Sequence, residues 1–319
     1  MADRGINGYS CLAVEKLRDH MTALLKEKDG VIAAADHEYL HRMRVASRRV
    51  RRALDVFYDA FDERDSKAWL STVKSLTKVL GSARDLDVQI EFLDSFILTH
   101  NDIRIRPGVD RLRLRFLQSR TRQQKKILRF FNQLEQTNEL LRILRTLDTV
   151  ATQCRLSDIQ QDDSIKKYIG ERIRQRLTEF LTFERYVNDP SASEELHAMR
   201  IAAKFLRYEM ELFDSELQGE FKPYIQVVKK AQDVLGLLHD CDVWLQQIPV
   251  FLEKEARFTE RYLGTLRGFT RIKKGLHVVE QERKEARIVA FHDFTEYWKY
   301  HTEQNTWENL CALVDSLQG

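Results

Sequence analysis

Apolar residues recur every three to four positions through almost the whole chain, and no convincing alternating stretch interrupts them. The pattern predicts helices near 9–29, 36–60, 64–99, 108–136 and 138–155. In the second half it predicts helices near 164–187, 192–215, 220–252, 254–283 and 284–316, the last two readable as one broken helix. Stop signals fall at Gly30, Pro107-Gly108, Asn188-Asp189-Pro190 and Gly219. The SASE stretch resembles a capping box, with Ser191 or Ser193 as the cap of the helix that follows. The expected fold class is all-α, built from antiparallel helical bundles.

The pattern also repeats. HRMRVASRRVRRALDVF at 41–57 is answered by HAMRIAAKFLRYEMELF at 197–213, displaced by 156 positions. LGSARDLDV at 80–88 is answered by LGLLHDCDV at 235–243, displaced by 155. LRDHMTALLKEK at 17–28 aligns with IRQRLTEFLTFE at 173–184, setting His20 opposite Arg176 and Lys16 opposite Arg172. These echoes predict an internal duplication, with one helical repeat over residues 1–159 and a second over 160–319, related by a pseudo-twofold axis. The polar QQDD run at 160–163 reads as the joint.

Each repeat carries one helix with an unusual polar face. At about 100° per residue, His41, Arg44, Arg48, Arg51 and Arg52 share an arc of roughly 100°. Met43, Ala46, Val50, Leu54 and Phe57 take the opposite side. In the second copy His197, Arg200, Lys204, Arg207 and Tyr208 form the same stripe. Like charges stacked at i,i+3 and i,i+4 repel, and an anion on that face would offset the cost.

Composition changes the picture little. At 319 residues the chain is long enough for one large core or two modest ones. A net charge of +3 argues against a general polyanion binder, so the cations matter through their local clustering. No apolar run reaches the roughly 18–20 residues that span a bilayer, and no membrane partner is expected. Cys11, Cys154, Cys241 and Cys311 are scattered singly, without a CxxC pair or a signal peptide, which reads as reduced thiols in a cytoplasmic chain. Cys241 occupies the place of Leu86, so a small apolar role is expected for it.

The paired HxMR(V/I)A…R and LGxx(R/H)DxDV elements resemble the CHAD family, the conserved-histidine α-helical domain, over residues 9 to 315. The resemblance implies two pseudo-symmetric bundles enclosing a basic groove or channel that binds inorganic polyphosphate without catalysis or cofactor. It also makes association with polyphosphate granules one place where the chain would be found. Related proteins can fuse this domain to a triphosphate-tunnel (CYTH) domain; no ExExK motif occurs, so that catalytic partner is not expected here.

The chemistry fits that implication. Arg presents charge-assisted donors in a fork that suits phosphate oxygens. His41 and His197 would donate to phosphate and bind it more strongly when protonated. Residues 104–129 hold ten Arg or Lys against the single acid Asp110. Within that run, Arg122 and Lys126 match Arg283 and Arg287 by local pattern, and Lys74 matches Lys229 by displacement. These six are candidate wall residues, or else a solvated face. Asp85, Asp87, Asp240 and Asp242 are expected to pair with neighbouring arginines and hold them in position.

Three other readings remain open. Basic helices also suit nucleic acid, although Tyr208, Phe130 and Phe131 lie mostly at core spacing rather than where bases would stack. His41, His197 and His239 with the aspartates suggest a metal-dependent phosphohydrolase, but Arg84 replaces the histidine in the first copy. The last is a helical scaffold whose stripes face water. Protein partners, oligomeric state and preferred polyphosphate length are not readable from the chain.

Overall fold

A computed structural model describes residues 7–100, 102–156 and 163–317. Residues 160–162 of the expected joint at 160–163 and the residues before 7 lie outside that description, and Asp163 opens a helix. The described residues form helices and no strand. The helices are α1 (Gly8–Lys26), α2 (Lys28–Ala33), α3 (His37–Val56), α4 (Glu63–Thr99), α5 (Arg106–Thr137) and α6 (Glu139–Leu156). They continue as α7 (Asp163–Leu181), α8 (Ser193–Phe213), α9 (Lys222–Leu263), α10 (Phe269–Glu303) and α11 (Thr306–Ser316).

The chain divides into two compact units. The first is Met1–Ser95 with Leu114–Ile165, and the second is Phe96–Arg113 with Lys166–Gly319. The divisions therefore fall inside the long helices α4 and α5 and just within α7.

In the first unit α1 packs against both α3 and α6. Its core joins Leu17, Met21 and Leu24 to Met43, Val50 and Leu54, all at most 2% exposed. α3 starts where the Asp36 side chain accepts a bond from the backbone N–H of Glu38 at 3.0 Å, satisfying a donor the helix cannot. A disulfide joins Cys11 on α1 to Cys154 on α6, with the Cα atoms 5.7 Å apart. This corrects the expectation of four reduced thiols: packing α1 against α6 brings together two cysteines 143 residues apart, which no local motif announces. Cys241 is buried and burial pushes its thiol pKa up, as suits a small apolar filler.

In the second unit α9 packs against α8 and α10. Phe180, Met199, Phe213, Phe221, Leu276 and Phe294 are fully buried there. The start of α5 belongs to this unit and approaches α10 closely. A Cβ on Gly108 would stand 2.3 Å from the Ile272 carbonyl, and one on Gly275 would stand 2.2 Å from that of Ile105. Gly108 is thus a contact residue inside α5 rather than a stop signal, while Pro107 takes an early position where its missing N–H costs nothing.

Other boundaries differ from the periodicity. The chain turns at Glu27, not Gly30, which lies within α2. α9 runs unbroken through Pro249 to Leu263, so no helix ends at 252. Its end is set by Gly264 at φ +66°, and α10 begins after Gly268 at φ +90°, both conformations that favour glycine. The second break comes at Gln304-Asn305, with Asn305 at φ +51°, instead of at 283. Neither Ser191 nor Ser193 caps α8. Ala192 stands at the cap without a side-chain bond, and Ser191 bonds back to Asp189 at 2.6 Å.

Candidate functional site: two cationic helix faces

Each unit holds one stripe, on α3 in the first and on α8 in the second. On α3, His41, Arg44 and Arg48 are half-buried and Arg51 is exposed. Arg44 lies beside the glycine turn of α4: a Cβ on Gly81 would stand 3.6 Å from Arg44 Nε. Its Nη2 is 3.5 Å from Asp85, one helical turn further on, in a long contact where the carboxylate remains largely in water. Such a contact steers the guanidinium without neutralising it. Arg44 Nε and His41 Nδ1 are buried without a hydrogen-bond partner. The His41 pKa is lowered, first by burial and then by the Arg84 and Arg44 charges, against Glu38 and Glu91, which raise it.

α8 repeats the arrangement. His197, Arg200, Lys204 and Arg207 are all half-buried. A Cβ on Gly236 of α9 would stand 3.6 Å from Arg200 Nε. His197 stacks on His239, with ring centroids 3.9 Å apart and planes inclined by 27°. Burial depresses the His197 pKa first, helped by His239, Arg200 and Lys204. His197 Nδ1, like that of His41, has no hydrogen-bond partner. Arg207 is the most constrained cation: it donates to Gln232 at 3.0 Å and Glu211 at 2.7 Å and lies over the Tyr208 ring.

Two predicted stripe members leave it. Arg52 is buried at 7% exposure and faces Asp55 at 4.0 Å, and Tyr208 is buried at 9%. Val56 and Leu212, one turn later, are buried too. The last turns of both helices are therefore covered on a side that the angular plot assigns to solvent. In the first unit Tyr9 contributes to that cover, its hydroxyl donating to the Val56 carbonyl at 3.3 Å and its ring 5.5 Å from Phe57.

The second aspartate of each DxD element makes the tight ion pair. Asp87 accepts from Arg120 Nε at 2.7 Å, and Asp242 accepts from Arg287 Nε at 2.5 Å. Both pairs are largely buried. Arg120 also bonds Gln124, whose amide reaches the Val31 carbonyl at 3.0 Å. Arg287 also reaches Ser193 Oγ at 2.7 Å, tying α10 to the first residue of α8.

The family model of the CHAD domain matches residues 15–249. The chain belongs to the CHAD family. The crystal structure of the CHAD domain from the plant Ricinus communis is similar at 18% identity, covering 90% of this chain and 92% of that one, with a TM-score of 0.62. PptA from Streptomyces chartreusis is similar at 15% identity, covering 91% and 99%, with a TM-score of 0.58. At these identities the likeness is one of fold. No curated protein sequence matches the chain.

Other predicted residues of this CHAD chain fall in different places. Arg287 corresponds by its ion pair to Arg120, not to Lys126, which corrects the pairing of Arg283 and Arg287 with Arg122 and Lys126. Arg120 was missed because RxxxK resembles RxxxR more closely than anything around Arg120 does. Arg283 is half-buried beside Glu282, at 2.6 Å, while Arg122 and Lys126 are exposed on α5. Lys74 lines a hollow of about 420 Å³ with Glu63, Lys67 and Tyr58, and Lys229 is exposed on α9. Asp240 is exposed. Among the described residues no group of three or more His, Cys, Asp and Glu could hold a metal ion. No described helix is long and apolar enough to cross a membrane.

Proposed function

We propose that this CHAD chain binds inorganic polyphosphate, without catalysing its cleavage, along the cationic faces of α3 and α8. The observation that carries the reading is the matched pair of stripes. In each, a histidine and a ladder of cations climb one helix about a turn apart, and the second rung rests beside a glycine of the next helix. A glycine there leaves room for a guanidinium at close range, and half-burial lowers the local dielectric, so an anion is held more strongly than on an open surface. Arginine forks match phosphate oxygens, and a ladder suits a linear chain of phosphates better than a single phosphate. In its fuller form the proposal has polyanion running along each stripe. Arg44, Arg48, Arg51, Arg200, Lys204 and Arg207 are its principal contacts, with His41 and His197 beside them.

The test is a titration with polyphosphates of graded length against DNA and RNA matched in phosphate content, at several salt concentrations. Preference for long polyphosphate, with log affinity falling as log salt rises, supports the reading. Arg44→Ala and Arg200→Ala should each cost about 1–3 kcal/mol. Unchanged binding by the double variant would overturn it. Preferential binding of nucleic acid, or phosphate release from polyphosphate on adding a divalent metal, would replace it with one of the rival functions.

A further inference from the structure

The end of the α9–α10 hairpin combines two features that the polyphosphate reading does not use. The first is apolar. Tyr262 is 78% exposed, Leu263 67%, Phe258 47% and Leu266 43%, within nine consecutive residues. The Phe258 and Tyr262 rings stack with centroids 6.5 Å apart, so they form one patch on the outer face of α9. The second is charge. From residue 261 to 279 the chain has five cations and no acid. Arg261, Arg267, Arg271, Lys273 and Lys274 are all exposed, and none makes an ion pair among the described residues. The tip lies beyond residue 249, where the family match ends.

The space around the two glycines of the tip is open. A Cβ added at Gly264 or Gly268 would meet nothing within 4 Å. A groove-bound peptide therefore has no walls to lie between. A second copy of the chain would set five cations against five, at a cost in like-charge repulsion. A polyanion in solution would satisfy the cations but would leave Leu263 and Leu266 in water. An anionic lipid surface satisfies both. Its headgroups attract Arg and Lys, and its acyl boundary takes up Leu and Phe, with Tyr placed at the level between.

We propose that this tip is a peripheral docking site for an anionic lipid surface, with Tyr262, Leu263 and Leu266 inserted at the interface and the surrounding cations against the headgroups. It does not cross the bilayer, and it does not depend on the stripes of α3 and α8.

The experiment is co-sedimentation of the full chain with vesicles of phosphatidylcholine alone and of an equimolar mixture with phosphatidylserine. The wild-type chain should partition onto the mixed vesicles and not onto phosphatidylcholine alone. The triple change Tyr262→Ser, Leu263→Ser, Leu266→Ser alters only exposed side chains and should abolish partitioning while leaving circular dichroism unchanged. Arg267→Glu with Lys273→Glu should reduce it about tenfold or more. The indole of Leu266→Trp should be quenched by brominated lipid, which reports insertion rather than adsorption. Arg44→Ala with Arg200→Ala should bind vesicles as the wild type does, separating this site from the polyphosphate reading. Failure to sediment with the mixed vesicles would overturn the proposal, as would partitioning that the stripe variants lose and the tip variants keep. Loss of polyphosphate or nucleic-acid binding in the tip variants, without vesicle binding in the wild type, would assign the tip to a soluble polyanion instead.

Discussion

Arg44 Nε stands 3.6 Å from where a Cβ on Gly81 would lie, and the same distance recurs between Arg200 Nε and Gly236 in the second unit. That separation is ordinary van der Waals contact, so a methyl fits and a branched side chain does not. Gly81→Ala should therefore leave polyphosphate affinity nearly unchanged and add up to about 1 kcal/mol of helix stability. Gly81→Val should push the Arg44 guanidinium off α4 and weaken binding with little change in melting temperature. Parallel titration and melting curves check both, and equal binding by the two variants would show that the contact does not place the arginine.

Asp87 and Asp242 should act on binding through the arginines they hold. Asp87→Asn and Asp242→Asn each leave Arg120 or Arg287 in a partly buried place without a full counter-charge. Affinity should fall by less than in Arg44→Ala, because the stripe itself is intact. Elemental analysis of protein purified without chelator should find no stoichiometric metal, and binding should survive EDTA. A tightly held metal whose removal abolishes binding would show the aspartates to be ligands.

Polyphosphate binding should strengthen as the solution becomes more acid. In the free chain His41, His197 and His239 titrate below the ordinary 6.5, first because of burial and then because cations surround them. A bound polyanion counters those cations and raises the three pKa values, so the complex holds more protons than the free chain. Affinity then rises as pH falls below about 6.5 and levels off once the free histidines are themselves protonated. Calorimetry in buffers of different ionisation enthalpy should register proton uptake, reduced in His197→Gln. An affinity that is flat across this range would dismiss the linkage.

Stability should move the opposite way with acid. The His20 pKa is lowered from 6.5 to about 4, chiefly by burial and then by Arg49, with Lys16 adding and Asp19 opposing. A neutral His20 is favoured in the folded chain, so the unfolded chain takes up a proton first as pH drops. The stabilisation is complete above pH 6.5 and is lost between there and about 4, up to about 3 kcal/mol. His20→Gln should flatten that slope in denaturant unfolding measured at pH 4.5 and 7. An unchanged slope would show that His20 is not the group responsible.

The helical character of the chain and its family were legible because both rest on local signals: a 3.6-residue period, and motifs short enough to read twice. What escaped was set by packing. Arg52 has the right angle for the stripe but lies where the end of α3 is covered. Arg120 matters because of Asp87, which is 33 residues away and visible only in three dimensions. α9 runs past the expected boundary at 252 and stops only at Gly264, where the left-handed backbone ends it.

The bridge between Cys11 and Cys154 makes the intervening chain a closed covalent ring. That ring includes residues 96–113, which pack with the second unit. A protease cutting once between α4 and α5 would open the ring without releasing a fragment. The nicked chain would run as one species on a non-reducing gel and as two after reduction. Under oxidising conditions the molecule thus tolerates a break at this connection, and under reducing conditions it has no such insurance.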